Sequence, residues 1–210
     1  MIYKKLSSDF YLKPCLKAAK ELIGKVLVRK IGRKVYSGII VETEAYLGDK
    51  DEASHSFKGQ TQRNAVMFDE GGKAYVYFTY GNHYCVNVVI GKYGLAHAVL
   101  IRAVEPVNGI EYMKKNRGTD DEYNLCSGPG KLCAAMEIDL RLNGKSLSGN
   151  EIFIAEPFEN NNRRKASTKR IGITKNADKL YRFIDPGSPF VSRINYKALL
   201  RKIKNTTENK

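Results

Sequence analysis

The sequence contains no tryptophan, only three histidines, and four cysteines of which none stands in a CxxC pair. His55, His83 and His97 show no HxxxH spacing, so the ligand patterns of structural zinc sites are missing. No metal and no cofactor are expected, and Cys15, Cys85, Cys126 and Cys133 read as reduced core fillers. No stretch offers the roughly 18 apolar residues of a membrane span. The opening MIYKKLSSDF lacks the apolar core of a secretion signal, which predicts an intracellular protein, in the cytoplasm or nucleoid if the cell is prokaryotic. Negative charge is also scarce: 22 Asp and Glu face 36 Lys and Arg, for a formal net charge of +14.

That excess of cations points to a polyanionic partner, because Lys and Arg contacts release counterions from phosphates. Nucleic acid is the first candidate, and an acidic membrane surface the second. With 210 residues and 42% hydrophobic residues, the chain is long and apolar enough for one core. We expect a single domain over 1–210 with a frayed tail at about 204–210.

Periodicity predicts a helix near 14–23 and a hairpin of strands near 25–31 and 34–46. Residues 47–72 read as a long loop with a short helix near Asp51 to His55. KAYVYFTYGNHYCVNVVIG is a second hairpin turning at YGNH, and AHAVLIRAV a strand closing at Glu105 and Pro106. Helices are expected in VNGIEYMKKNRG and SGPGKLCAAMEID, a strand in EIFIAEPF, a basic loop in RRKASTKR, and short strands in RIGITK and YRFID.

Against the basic background, IIVETEAYLGDKDEASHS gathers Glu42, Glu44, Asp49, Asp51 and Glu52. Strand alternation puts Ile40, Glu42, Glu44 and Tyr46 on one face, with Ile39, Val41, Thr43 and Ala45 opposite. The first face then borders solvent or a polar cleft. In AYVYFTYGN the same rule groups Tyr75, Tyr77 and Thr79 against Val76, Phe78 and Tyr80. Tyr80 sits at the hairpin tip, where an aromatic can wedge between stacked bases; Tyr75 reads as a packing residue.

VETEAYLGDKDEASHS, TQRNAVMF, YVYFTYGNHYCVNVV, VLIRAVEP and LCSGPGKLC resemble, in order and spacing, the alkyladenine (3-methyladenine) DNA glycosylase family, from about residue 7 to 193. The resemblance implies an α+β domain on a curved antiparallel sheet, similar to the C-terminal domain of methionyl-tRNA formyltransferase. It further implies a monomeric, monofunctional enzyme of base-excision repair that flips damaged purines out of double-stranded DNA and hydrolyses the N-glycosidic bond without lyase chemistry. Glu44 matches the family's general base and Arg102 the arginine that helps hold the attacking water. Tyr46, His55, Tyr77 and Asn87 match the base-binding pocket, and Tyr80 the intercalating side chain. Asn82 departs from vertebrate members, which have methionine there. Lys131, Arg163 and Arg164, with Lys165, Lys169 and Arg170, are candidates for the DNA backbone. By position alone Glu42 remains a rival base. A non-catalytic basic nucleic-acid-binding module would equally explain the charge, the aromatics and the hairpin.

Overall fold

The computed structural model describes residues 2–158 and 163–192; the tail expected at 204–210 lies outside them. Eight strands join one antiparallel sheet: β1 (Val26–Ile31), β2 (Lys34–Leu47), β3 (Ala74–Thr79), β4 (His83–Ile90), β5 (His97–Asn108), β6 (Ile152–Ala155), β7 (Ala166–Thr168) and β8 (Arg182–Ile184). Their order is β3-β4-β5-β2-β1-β6, with β8 added to β2 and β7 to β8. The sheet curls into a half-barrel. Among the described residues, four short α-helices accompany it: α1 (Ser8–Tyr11), α2 (Cys15–Leu22), α3 (Ile110–Arg117) and α4 (Pro129–Ala135). This is the mixed α and β class expected.

The helices cover one face. Phe10, Ala18, Leu22, Met113 and Leu132 merge with Val76, Val86, Val88, Val99 and Ile101 of the sheet into the main apolar core. Because β3 and β4 alternate, and β5 does so as far as Arg102, Tyr75, Tyr77, Cys85, Asn87, Leu100 and Arg102 are left on the opposite face, where they line a cavity.

The alternation expected of β2 fails at one point. Ile40 pairs with Val104, Glu42 with Ala103, and Thr43 with Ile101, so Val41 is an extra residue on β2 and Arg102 an extra residue on β5. Bulges of this kind bend a strand and shift its phase. Ile40 therefore joins the helix-covered core together with Ala45, and Thr43 donates through its hydroxyl to the Ala19 carbonyl at 2.8 Å. Val41 instead packs with Ala103 and Ile184 on the other side, the side of Glu42, Glu44 and Tyr46. The bend also frees β2 from β1 after Ile39, so that Glu42, Thr43 and Glu44 pair with β8.

Other expectations change locally. No helix forms at Asp51 to His55, because the Asp51 carboxylate accepts the N–H groups of Leu47 and Ala53 and builds a turn; a 3₁₀ turn occupies Gly48–Lys50 instead. The chain enters that turn through Gly48, at φ +59, where a Cβ would lie 2.5 Å from the Leu95 carbonyl oxygen. The basic segment contains β7. RIGITK is not a strand: its Ile171 N–H is given to a side chain, the Glu44 carboxylate, rather than to a neighbouring strand. The last run of β5 continues past Pro106 to Asn108, and α1 had no counterpart in the pattern reading.

Candidate active site

On the face away from the helices lies a cavity of about 200 Å³, below the roughly 300–1,000 Å³ of drug-sized pockets. It has room for one ring system. Tyr46, Tyr77, His55, Tyr75, Asn87 and Arg102 line it, and Tyr80 stands at its mouth.

Glu42 and Glu44 are both fully buried, and a buried charge is tolerable only when hydrogen-bonded and paired. Glu42 takes Arg102 Nε at 2.8 Å, Arg182 Nε at 2.7 Å and the Ser192 hydroxyl at 2.9 Å on Oε1, and the Ser192 N–H at 2.7 Å on Oε2. A carboxylate has about four acceptor sites, and Glu42 meets four donors, three of them on Oε1. Glu44 accepts from the Tyr46 hydroxyl at 2.9 Å and Arg102 Nη1 at 3.2 Å on Oε2, and from the Ile171 N–H at 2.8 Å on Oε1. Among the described residues Glu44 thus meets three donors against the four of Glu42, and all three belong to residues that line the cavity. Burial disfavours the charge of Arg102, but Glu44 and Glu42 outweigh it and raise its pKa above the ordinary arginine value.

The aromatic walls are mutually braced. His55 Nδ1 lies 3.0 Å from the Tyr75 hydroxyl, and its ring meets Tyr77 edge-on at 4.6 Å. Burial, and then the charge of Arg63, lower the His55 pKa. The Asn64 amide donates to the His55 carbonyl at 2.9 Å and fixes that turn. Burial raises the Tyr77 pKa and takes Tyr75 to about 12. Tyr46, also held up by burial and next by Glu44, donates to the carboxylate. Asn87 gives Nδ2 to the Tyr75 carbonyl at 3.0 Å. Tyr80 is 83% exposed and has φ +53, followed by Gly81 at +71. Positive φ at both central residues is the signature of a tight type I′ hairpin turn, and a bulky residue there carries backbone strain.

The backbone candidates separate. Arg164 is exposed. Lys131 is engaged by the Asn124 side chain. Arg163 is held between Glu105 at 2.8 Å and Asp185 at 2.9 Å, far more committed than a free phosphate ligand. Arg170, read from sequence as part of the basic surface, is buried and paired with Asp51.

Pattern reading passed over several participants. Tyr75, taken as packing, lines the cavity; its place on the Tyr77 face was the available signal. Arg182 carries the same signal as Arg102, a lone Arg in an apolar strand. The Ile171 N–H left no trace in the sequence, since any residue but proline supplies one. Among the described residues, no three His, Cys, Asp or Glu side chains are grouped to hold a metal ion, and no helix is long and apolar enough to cross a membrane.

Comparison with known proteins bears on this arrangement. A protein of Chlorobium phaeobacteroides strain BS1 is 48% identical over 190 residues, covering 90% of this chain and 96% of its own. One from Prosthecochloris aestuarii is 49% identical over 186 residues, covering 88% and 89%. One from Methanoculleus marisnigri is 47% identical over 191 residues, covering 90% and 98%. Each carries the name "Putative 3-methyladenine DNA glycosylase". The sequence profile of methylpurine-DNA glycosylase matches residues 9–189, a span that contains the whole cavity and both buried glutamates, and the chain belongs to that family.

Proposed function

We propose that this protein excises damaged purines, among them 3-methyladenine, 7-methylguanine, hypoxanthine and ethenoadenine, from double-stranded DNA in base-excision repair. A base stacked in a duplex cannot reach a buried carboxylate, so the nucleotide must be flipped out at a cost of a few kcal/mol. Tyr80 fills the gap left in the stack. The base enters between Tyr46 and Tyr77, where aromatic stacking is worth roughly 1–3 kcal/mol and tolerates several base identities. Asn87 and His55 contact its edges.

The observation that carries this reading is Glu44: a fully buried carboxylate held by three donors, Tyr46, Arg102 and the Ile171 N–H, each from a residue that lines the aromatic cavity. A water beside Glu44 gives its proton to the carboxylate, and its oxygen bonds to C1′ of the sugar. The N-glycosidic bond breaks, its electron pair leaving with the base. The carboxylate also stabilises the positive charge that the sugar develops. Arg102 orients Glu44 and faces the same space. No lysine nucleophile is needed, so the product is an intact strand with an abasic site, formed by a monomer on a sheet of the kind found in the C-terminal domain of methionyl-tRNA formyltransferase.

The test is incubation with duplexes carrying hypoxanthine or ethenoadenine, and with methylated DNA, followed by alkaline cleavage of abasic sites. Excision by the wild type and its loss in Glu44→Gln, with lesion binding retained, is the expected result. Binding without excision of any of these lesions by the wild type assigns the chain to the non-catalytic reading.

A further inference from the structure

The pair formed by Asp51 and Arg170 is distinct from the groups that meet the base or the water. Both side chains are fully buried. Arg170 Nη2 donates to Asp51 Oδ1 at 2.8 Å, and Nη1 donates to the Ala45 carbonyl at 2.9 Å as well as to the second Asp51 oxygen. The guanidinium lies over the Tyr46 ring at 4.7 Å and the Tyr181 ring at 5.3 Å. A buried ion pair adds little to stability over an apolar pair of similar size. The position of this one is informative: Ile171, the next residue, gives its N–H to Glu44, and Ile171, Gly172 and Ile173 form one wall of the cavity. This wall belongs to no strand or helix.

We propose that Asp51 and Arg170 form a latch that positions this wall, the third donor to Glu44, and the face of Tyr46; both are positioning residues for excision. The inference rests on the glycosylase reading of the same cavity. The planar fork of Arg170 is what the role requires, since it holds two oxygens of Asp51 while stacking on a ring, and a lysine cannot do both. The latch links the Tyr46 ring to the Ile171 N–H through one residue: the Arg170 guanidinium packs against the first, and the Arg170 backbone is bonded to the second.

Three variants test it. Arg170→Lys keeps the charge and loses the fork. Asp51→Leu with Arg170→Met replaces the ion pair by apolar groups and preserves a filled interior. Lys175→Ala, which removes an exposed partner of Glu52 in the same segment, is the control. Backbone amide exchange at Ile171 is measured alongside single-turnover excision and affinity for a duplex that already carries an abasic site. The latch predicts faster exchange at Ile171 in the first two variants and an excision constant about 10²-fold lower, the scale set by a misplacement of about 1 Å. Abasic-duplex affinity stays at the wild-type level, and Lys175→Ala matches wild type throughout. Wild-type exchange at Ile171 in a folded double variant overturns the latch, and so does faster exchange with undiminished excision. If the wild-type enzyme excises nothing, the glycosylase reading fails by itself, while Ile171 exchange still decides whether the pair holds the wall.

Discussion

At the scale of single residues, the two buried glutamates two positions apart differ in their donors: four meet Glu42, while the three that meet Glu44 all come from residues lining the cavity. With Glu44 as the base, Glu44→Gln is expected to lower the single-turnover excision constant by about 10²–10⁴-fold while the protein still retains a lesion-bearing duplex in a gel-shift assay. The family resemblance, which makes Glu44 the base, implies that Glu42→Gln leaves most activity. The structure adds a cost in stability: Glu42 neutralises part of both Arg102 and Arg182 and accepts from Ser192. Breaking a buried charge pair on one side costs about 3–5 kcal/mol, so Glu42→Gln should shift the denaturant midpoint strongly, with the excision constant falling far less than for Glu44→Gln at a temperature where it is folded. A pH effect belongs to His55. Burial and Arg63 lower its folded pKa beneath the ordinary value of about 6.5. The unfolded chain then binds the proton more readily, so stability is full above about pH 6.5 and declines as pH falls from there toward the folded pKa. Burial lowers His97 as well, with the same sign. Thermal melting of the wild type between pH 7.5 and pH 5 should show this decline, and His55→Gln should reduce its slope; an equal slope would remove His55 from the account.

At the scale of elements, the turn between β3 and β4 holds its residue of interest in a conformation that disfavours it. Tyr80 is 83% exposed at φ +53, so its ring contributes little packing while its backbone carries strain of about 1–2 kcal/mol. Tyr80→Gly is therefore expected to melt at a higher temperature and yet to bind lesion duplex more weakly, by roughly 1–3 kcal/mol if the ring stacks on bases. A variant that is both less stable and unchanged in binding would make Tyr80 a structural residue. The strands themselves were legible because hydrophobic alternation has a fixed period: Tyr75, Tyr77 and Thr79 share a face in the sequence pattern, and all three line the cavity in the fold. The paired irregularity at Val41 and Arg102 was not legible, since a bulge is set by what lies across the ladder and not by the strand's own composition.

At the scale of the whole molecule, the charge of +14 is a statement about partners rather than about fold. Binding to undamaged duplex should weaken linearly in a plot of log affinity against log salt, because counterions are released. The exposed Arg164 and the paired Arg163 divide this effect. Arg164→Ala should reduce the salt slope by about 1 if it meets a phosphate. Arg163→Ala should leave the slope nearly intact and instead destabilise the fold, because Glu105 and Asp185 lose their shared cation. Titrations of both variants across a salt series, with melting curves, separate the two roles; equal slopes for wild type and Arg164→Ala would remove that arginine from the DNA face.

The sequence by itself determined the strand and helix periods, the side of the sheet on which the tyrosines fall, the sign of the surface field and the motifs that carry the family likeness. These follow from local chemistry: side-chain alternation, turn residues and charge count are properties of neighbours along the chain. The tertiary structure decided which donors each carboxylate meets, that Arg170 is buried against Asp51 rather than exposed, and that an Ile171 N–H reaches Glu44 across 127 positions. Hydrogen-bond saturation depends on every donor brought within about 3 Å, and only the folded chain brings Arg182, Ser192 and Ile171 to β2.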